Sequence, residues 1–171
     1  MKTEHVNLIS KFIDKKISMA IIMLVQASSS ADLAFREFLA LQENTHIDPQ
    51  TKVMNGLAYA RFFSEACGWY ALAVARLRHD GSKEMKELLT RNLKHTKSLR
   101  ELRVAVNHLY NEELIDAYRN DNYKIGKHQE KLAFNFSFMP NGPGFRIGTL
   151  EISMVSQLAS MQKIESELST L

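Results

Sequence analysis

An arginine and a histidine with four residues between them could do acid–base chemistry on a phosphodiester. They stand in the stretch 99–110, Leu-Arg-Glu-Leu-Arg-Val-Ala-Val-Asn-His-Leu-Tyr. Arg103 offers a planar fork of donors to phosphate oxygens and stays charged at neutral pH. Histidine has an ordinary pKa of about 6.5, so His108 could give or take a proton. Because RNA carries its own nucleophile, the 2′-OH, this pair could form a 2′,3′-cyclic phosphate and a 5′-OH without a metal.

The spacing of the pair constrains its geometry. Five positions along a regular helix correspond to about 140° of rotation and about 7.5 Å of rise, so one regular helix does not direct both side chains at a single phosphate. Either the helix is distorted near Asn107, or each of two protomers contributes a pair to one cleft. We favour the composite site, which requires a homodimer. The structural alternative places Arg103 on a solvent face and pairs His108 with Glu101 or Glu112.

This pair, late in a helical chain and after a long central helix, resembles the R-x4–6-H motif of the HEPN superfamily. Its members are small α-helical bundles, often dimeric, and many are metal-independent endoribonucleases that act as toxins, in phage defence or in RNA processing. The resemblance implies RNA, a second copy and an antitoxin or other protein as partners, and no cofactor. It also implies that Arg103 acts as a phosphate clamp and His108 as a proton shuttle. Arg100, Asn107 and Tyr110 would be supporting residues.

One position departs from the pattern of active HEPN members. The residue after the motif arginine is commonly polar in them, whereas it is Val104 here. This departure favours the alternative function, a non-catalytic HEPN-like module that binds RNA or a protein partner.

Positive charge is concentrated before the motif. Residues 76–103 hold nine Lys/Arg and four Asp/Glu, a net charge of +5, whereas the rest of the chain has a net charge of −2. A polyanion could bind there, with an affinity that falls steeply with salt. An ordinary solvated face is the other interpretation, because Glu84, Glu87 and Glu101 are interleaved.

Metal and thiol chemistry receive little support. Glu43 and His46 have the Glu-x-x-His spacing of di-iron bundles, but the motif occurs once, at a predicted helix end before Pro49. No metal is therefore expected. The single cysteine, Cys67, excludes an intramolecular disulfide and falls on an apolar seam, where a small core residue is expected.

The scaffold is predicted to be one all-α domain over residues 1–171. Apolar residues make up 45% of the 171 residues and charged residues 24%, and there are only 7 Gly and 3 Pro, which favours long helices. We predict an up-and-down bundle of about five helices with a β-hairpin before the C-terminal helix. The first predicted helix covers 4–26, and a second begins after a turn at 28–30 with Ser30 as its cap. Further helices are predicted over 48–80, 82–93, 96–119 and 151–168.

The third predicted helix has the clearest pattern. Asp48 and Pro49 are typical of its start and Gly81 of its end. Its apolar seam steps by three and four, and a second apolar row lies beside it, so a central position is expected. Small residues at 56, 60 and 67 would admit another helix closely. The seam is Val53, Gly56, Ala60, Phe63, Cys67, Tyr70, Val74 and Leu77, and the second row is Phe62, Ala66, Trp69 and Ala73.

The hairpin is indicated by a change of period from 3.6 to 2. Leu132, Phe134, Phe136 and Phe138 alternate with other residues before a Pro/Gly-rich turn and Phe145-Arg146-Ile147. A lone hairpin is marginal in water, so its phenylalanine face must pack on the bundle or on a partner chain.

The N-terminal region is expected to be structural. The run Ile17–Val25 would cover about 14 Å of helix, against the roughly 30 Å that a bilayer core requires. Lys15-Lys16 and Val25-Gln26-Ala27 are reminiscent of a cleaved leader, but Glu4, Asp14 and an apolar stripe from Val6 to Leu24 favour a first helix. We therefore expect a cytoplasmic protein with no membrane partner.

Overall fold

A computed structural model describes residues 14–104, 106, 136–147 and 150–171. Within them the chain forms five helices and a small sheet, which confirms the predicted fold class. The elements are α1 (Lys15–Glu43), α2 (Pro49–Asp80), α3 (Lys83–Arg91), α4 (93–104, with Val106 also helical), β1 (Phe136–Phe138), β2 (Gly144–Ile147), β3 (Leu150–Ser153) and α5 (Met154–Ser169).

Helix α1 differs from the prediction in two places, at Asp14 and at the three serines 28–30. Asp14 is extended and caps the helix, and its Oδ1 accepts from the amides of Lys16 at 2.7 Å and Ile17 at 3.2 Å, so no helix continues through it. The predicted turn at 28–30 is wrong as well, because α1 runs straight through the three serines. Ser28 is buried, and the buried stripe continues across it through Leu24, Ala27, Ala31, Ala34 and Phe38. Packing against α2 therefore overrides the modest helix propensity of serine.

Helix α2 begins and ends where the sequence predicts. The Asp48 side chain accepts from the Thr51 amide at 2.9 Å, and Pro49 occupies the first helical position. Gly81 ends the helix with φ −73°, so it does not use the left-handed conformation of a glycine C-cap. A Cβ at position 81 would instead lie 2.5 Å from both the Leu77 carbonyl oxygen and the Met85 sulfur, which explains the glycine by close packing.

Helices α1 and α2 form an antiparallel pair at the centre of the core. Lys52 Nζ donates to the Gln42 carbonyl at 2.7 Å at one end, and Arg76 contacts the Met23 sulfur at 3.8 Å at the other. The predicted seam of α2 is buried from Gly56 to Leu77. The Tyr70 hydroxyl, on this seam, donates to the Met161 carbonyl of α5 at 2.9 Å. The predicted central position of α2 is confirmed.

The sheet has three antiparallel strands in the order β1-β2-β3, and the sequence predicted only the first two. In the register Phe138 pairs with Phe145, and Phe145 pairs with Ile152. β3 occupies the start of the predicted last helix, which instead begins at Met154 with Ser153 as its cap. The short run 150–153 satisfies its backbone by pairing with β2, a tertiary effect that its helix-compatible pattern does not reveal.

The phenylalanine face of the hairpin packs on the bundle, as predicted. The ring centroid of Phe38 on α1 lies 6.5 Å from that of Phe136, 5.1 Å from that of Phe138 and 6.0 Å from that of Phe145. A Cβ at Gly56 would lie 2.7 Å from a ring carbon of Phe138. The close approach at position 56 therefore admits the sheet rather than another helix. The predicted strand residues Leu132 and Phe134 lie outside the described residues.

Helices α3 and α4 lead back along the core. Ser82 caps α3 by accepting from the Met85 amide at 3.3 Å, as predicted, and α4 begins at 93 rather than at 96. Polar contacts join this region to α5, including a 2.6 Å hydrogen bond from Asn92 Nδ2 to Glu167 Oε2. The predicted apolar face of α4 is buried at Leu99, Leu102 and Val106, and Leu109 lies outside the described residues.

Among the described helices, α1 is long and apolar enough to cross a membrane. One 18-residue window of it has a mean hydropathy of 1.5. A share of 39% of that window is buried in the fold. Core helices and signal sequences both pass the same test of length and composition, so this property alone is weak evidence for a membrane span.

Candidate functional site

The predicted phosphate clamp, Arg103, is attached to α2 by three contacts. Its Nε donates to Glu65 Oε2 at 2.9 Å, and its guanidinium carbon lies 5.6 Å from the centre of the Trp69 ring. Its aliphatic stem passes directly over Gly68, where any Cβ would collide with it. Gly68 is thus the position on α2 that lets the arginine cross the helix, and sequence reasoning did not identify it.

These contacts reduce what Arg103 offers to a phosphate. The Arg103 and Glu65 side chains are 39% and 29% exposed, so the pair is partly shielded from water and the carboxylate offsets the positive charge. Stacking over Trp69 fixes the guanidinium further. The arginine therefore does not lie free on a solvent face, as in the structural alternative, and a carboxylate offsets part of its charge.

Of the other predicted site residues, Arg100 lies within the described part of the chain and the rest lie outside it. Arg100 is exposed on α4, and Val104, at the position that departs from the HEPN pattern, is 58% exposed. His108, Asn107 and Tyr110 lie outside the described residues, so their meeting with Arg103 stays a prediction. Glu101, offered as a partner for His108, lies 3.5 Å from Lys97 in an i,i+4 ion pair.

The cationic stretch before the motif is exposed. All its Lys and Arg side chains from position 76 to position 100 are on the surface, and so are the three acids among them, which leaves a net charge of +5 over these residues. We call these eight side chains the cationic surface; they are Arg76, Arg78, Lys83, Lys86, Arg91, Lys94, Lys97 and Arg100. Lys94, Lys97 and Arg100 lie on α4 at intervals of three residues. Together they span about 120° around the helix, so they share one side of it.

Two acids within this stretch are held ionised by local hydrogen bonds. A hydrogen bond with His79, 2.6 Å away, lowers the pKa of Asp80. Hydrogen bonds to its own amide and to Ser82 lower the pKa of Glu84 at the start of α3. Both carboxylates therefore keep their negative charge at neutral pH and reduce the positive potential near the start of α3.

An apolar groove between α1 and α2, which sequence reasoning missed, has a volume of about 650 Å³. We call it the α1/α2 groove. Its floor contains Ala27, Ala34 and Ala66, and the large side chains along it are well exposed: Phe62 by 65%, Leu33 by 61% and Trp69 by 48%. The second apolar row of α2 was expected to be buried. Ala66 and Ala73 are buried, but the aromatic members of that row are not.

The charged residues that line the groove in the described part of the chain are both acidic. They are Glu37 and Glu65, and no described Lys, Arg or His is among the lining residues. The signal that could have revealed the groove is the pairing of the row Phe62, Ala66 and Trp69 with small residues on α1. That pairing is only apparent once the two helices are known to be antiparallel neighbours.

No metal or nucleophile centre is formed within the described part of the chain. It contains no group of three His, Cys, Asp or Glu side chains placed to hold an ion. Glu43 is the last residue of α1 and His46 follows the helix end, so the two do not share a helix face. Cys67 is fully buried, and this burial raises the pKa of its thiol far above the usual range, which confirms a core role.

Comparison with known proteins adds no family. No protein-family model, no curated protein and no solved structure matches this chain. The resemblance to HEPN proteins therefore stays a prediction, and the function has to be argued from the described surface.

Proposed function

We propose that this protein is a HEPN-like helical module that binds RNA through the cationic surface. The observation that carries this proposal is the exposure of eight Lys and Arg side chains between residues 76 and 100, against only three acids. A surface of this kind attracts a phosphate backbone and releases its counterions on binding. RNA is chosen as the polyanion because α4, which carries three of these cations, leads directly into the predicted motif.

Binding is better supported than cleavage by the state of Arg103. The Glu65 carboxylate, which accepts from Arg103 Nε at 2.9 Å, offsets part of the positive charge that a phosphate clamp uses. Val104, next to it, adds an exposed apolar side chain where active members commonly carry a polar one. Both features suit the non-catalytic alternative that the sequence suggests.

The proposal is tested by measuring RNA affinity as a function of salt. Fluorescence anisotropy with labelled single-stranded RNA should give a linear fall of log affinity with log salt, with a slope of about −0.7 for each phosphate neutralised. The triple variant Lys94→Glu, Lys97→Glu and Arg100→Glu should reduce the steepness of that slope by about 2. It should also lower the affinity at least about tenfold.

The matched control removes a cation elsewhere. Lys163 is exposed on α5, outside the cationic surface. Lys163→Glu should change the slope by no more than about 0.7, which is the contribution of one phosphate. Equal loss in the control and the triple variant, or an affinity that does not depend on salt, would show that the cationic surface does not bind RNA.

A metal-independent endoribonuclease is the second candidate. The observation favouring it is that the 39% exposed Arg103 side chain is held in one place by Glu65 and Trp69, on the helix that leads towards His108. The test is incubation with labelled RNA in EDTA, comparing the original chain with His108→Ala. Products ending in a 2′,3′-cyclic phosphate from the original chain alone would support cleavage. Equal products from both chains would exclude a role for His108.

The composite site adds a requirement for this second candidate. We propose that cleavage takes place in a cytoplasmic homodimer, in which each chain contributes an arginine and a histidine. Light scattering should then give twice the mass of 19.6 kDa. Activity that is independent of protein concentration in a monomeric preparation would rule out the composite site.

A further inference from the structure

We propose that the α1/α2 groove is a docking site for an amphipathic helix of a partner protein, and that Lys or Arg flank the apolar face of that helix. This inference is independent of RNA binding, because the groove and the cationic surface share no side chain. It rests on the shape of the groove, on the exposure of its walls and on its charge.

The shape fits a helix. The lining residues on α1 extend from Met23 to Glu37, which corresponds to about 21 Å, or about four turns. The floor is made of alanine side chains, and small residues let a third helix approach two others closely, at an axial distance of about 8–10 Å. Leu33, Phe62 and Trp69 rise beside this floor and would contact both sides of the incoming helix.

The exposure of the walls shows how much apolar surface such a helix would cover. Phe62, Leu33 and Trp69 each expose about half of their surface or more in the described structure. Contiguous exposed apolar side chains with a polar rim are typical of a binding site, and aromatic residues contribute most to such interfaces. An apolar face with residues at i, i+3, i+4 and i+7 is the pattern that such a groove binds.

The charge selects the kind of helix. Glu37 is exposed at one end of the groove, Glu65 also lines it, and no cation is among the described lining residues. Arg103 offsets Glu65 in part, so Glu37 is the carboxylate that most favours a cation on the partner. A second copy that presented the same groove would bring a second exposed Glu37 and no cation among its described lining residues, which disfavours self-pairing.

The experiment uses the full chain and its only tryptophan. Trp69 lies in the groove, so its fluorescence reports occupancy directly. Two synthetic peptides of about 16 residues are compared, with leucine at helical spacing along one face and either lysine or glutamate flanking it. The lysine peptide should shift the Trp69 emission to shorter wavelength, saturably. The glutamate peptide should bind at least about tenfold more weakly.

Three variants separate the contributions. Phe62→Asp, at an exposed position that should tolerate the change, should abolish the shift, whereas Val155→Asp, on the exposed side of α5, should not. Glu37→Lys leaves the apolar walls intact and should reverse the preference between the two peptides. Glu43→Lys, on the same helix but outside the groove, should leave the preference unchanged.

Four outcomes would overturn the proposal. Equal binding of both peptides would show that charge does not select the partner, and the absence of any shift would show that the groove binds no such helix. An emission that shifts with protein concentration alone would identify a second copy as the occupant. A Trp69 that acrylamide cannot quench in the isolated monomer would show that another part of this chain covers the groove.

Discussion

The α1/α2 groove and the cationic surface are built on the same helical scaffold but present opposite chemistry. The groove exposes Phe62, Leu33 and Trp69, and the charged groups among its described lining residues are two carboxylates. The cationic surface, on α3, α4 and the end of α2, exposes eight cations over a fully buried apolar face that includes Leu89 and Leu99. The groove leaves two aromatic side chains in water, whereas the exposed apolar side chains of α4 are the aliphatic Leu93 and Val104.

Two arginines bring the two regions into contact: Arg76 of the cationic surface contacts the Met23 sulfur in the groove lining at 3.8 Å, and Arg103 reaches the groove from α4. Arg103 belongs to the helix that carries much of the cationic surface, yet it stacks on Trp69 and pairs with Glu65, both of which line the groove. A cation of α4 thus offsets part of the charge of an acid that lines the groove. In the described residues, the groove lining carries acids and the cationic surface carries a surplus of cations. Substitution of single charged residues can test this separation of charge.

The largest expected effect separates two adjacent phenylalanines of α2. Phe63 is fully buried and Phe62 is 65% exposed. Phe63→Ala should lower the free energy of unfolding by about 3–5 kcal/mol because it leaves a cavity. Phe62→Ala should change it by about 0.5 kcal/mol or less, as an exposed substitution does.

Urea denaturation followed by circular dichroism measures both changes. This pair of variants can break the comparison outright. A cost of several kcal/mol for Phe62→Ala would mean that the groove side chain is covered in solution, and the contrast between an open and a closed apolar face would disappear.

A smaller effect is expected where the two regions meet. Glu65→Gln removes the carboxylate that offsets Arg103, so the arginine should become available to RNA. An exposed ion pair contributes about 0.2–1 kcal/mol, so RNA affinity should rise by a factor of about 1.4 to 5. Anisotropy titration at low salt measures it, with Glu37→Gln as the control for removing a groove carboxylate that does not contact Arg103. A fall in affinity in Glu65→Gln alone would show that the pair holds Arg103 in its binding position.

The smallest effect concerns Glu84, an acid that lies between the cations of the cationic surface in the sequence. Hydrogen bonds to its own amide and Ser82 lower the pKa of Glu84 in the folded chain. The unfolded chain therefore takes up this proton at higher pH than the folded chain does. The stabilisation is present above the ordinary carboxyl pKa and is lost as pH falls through the lowered one.

The measurement is the midpoint of thermal unfolding against pH for the original chain and Glu84→Gln. The difference between them should shrink as the solution is acidified. Glu87→Gln, on the same helix, controls for the loss of one negative charge. A difference that stays constant across the acid range would contradict the role of these hydrogen bonds in stability.

Local signals were sufficient for both ends of α2 and for the start of α3. Asp48-Pro49 and Ser82 started α2 and α3 as predicted, because a cap acts within four residues of itself and needs no distant partner. The buried seam of α2 followed from its spacing for the same local reason. The serines at 28–30 gave the wrong prediction, because their preference for turns is weaker than the burial of the stripe that passes through them.

The candidate site was predictable only in part. The exposed cations of residues 76–100 could be read from composition and helical spacing. The contacts of Arg103 could not, because Glu65, Gly68 and Trp69 are more than thirty positions away from it in the chain. The groove was missed for a related reason: its two walls belong to different helices, and neither wall is unusual by itself.

The sequence by itself determined a helical bundle with a hairpin, the caps and core seam of α2, and a surplus of positive charge ahead of the motif. These properties depend on neighbours within a few residues, where helical period and capping chemistry act. Tertiary structure alone decided that β3 joins the sheet, that the charge of Arg103 is partly offset by α2, and that Phe62 and Trp69 face a groove while Phe63 does not. Those outcomes depend on which distant surfaces meet, since burial, unlike periodicity, is a property of the packed molecule.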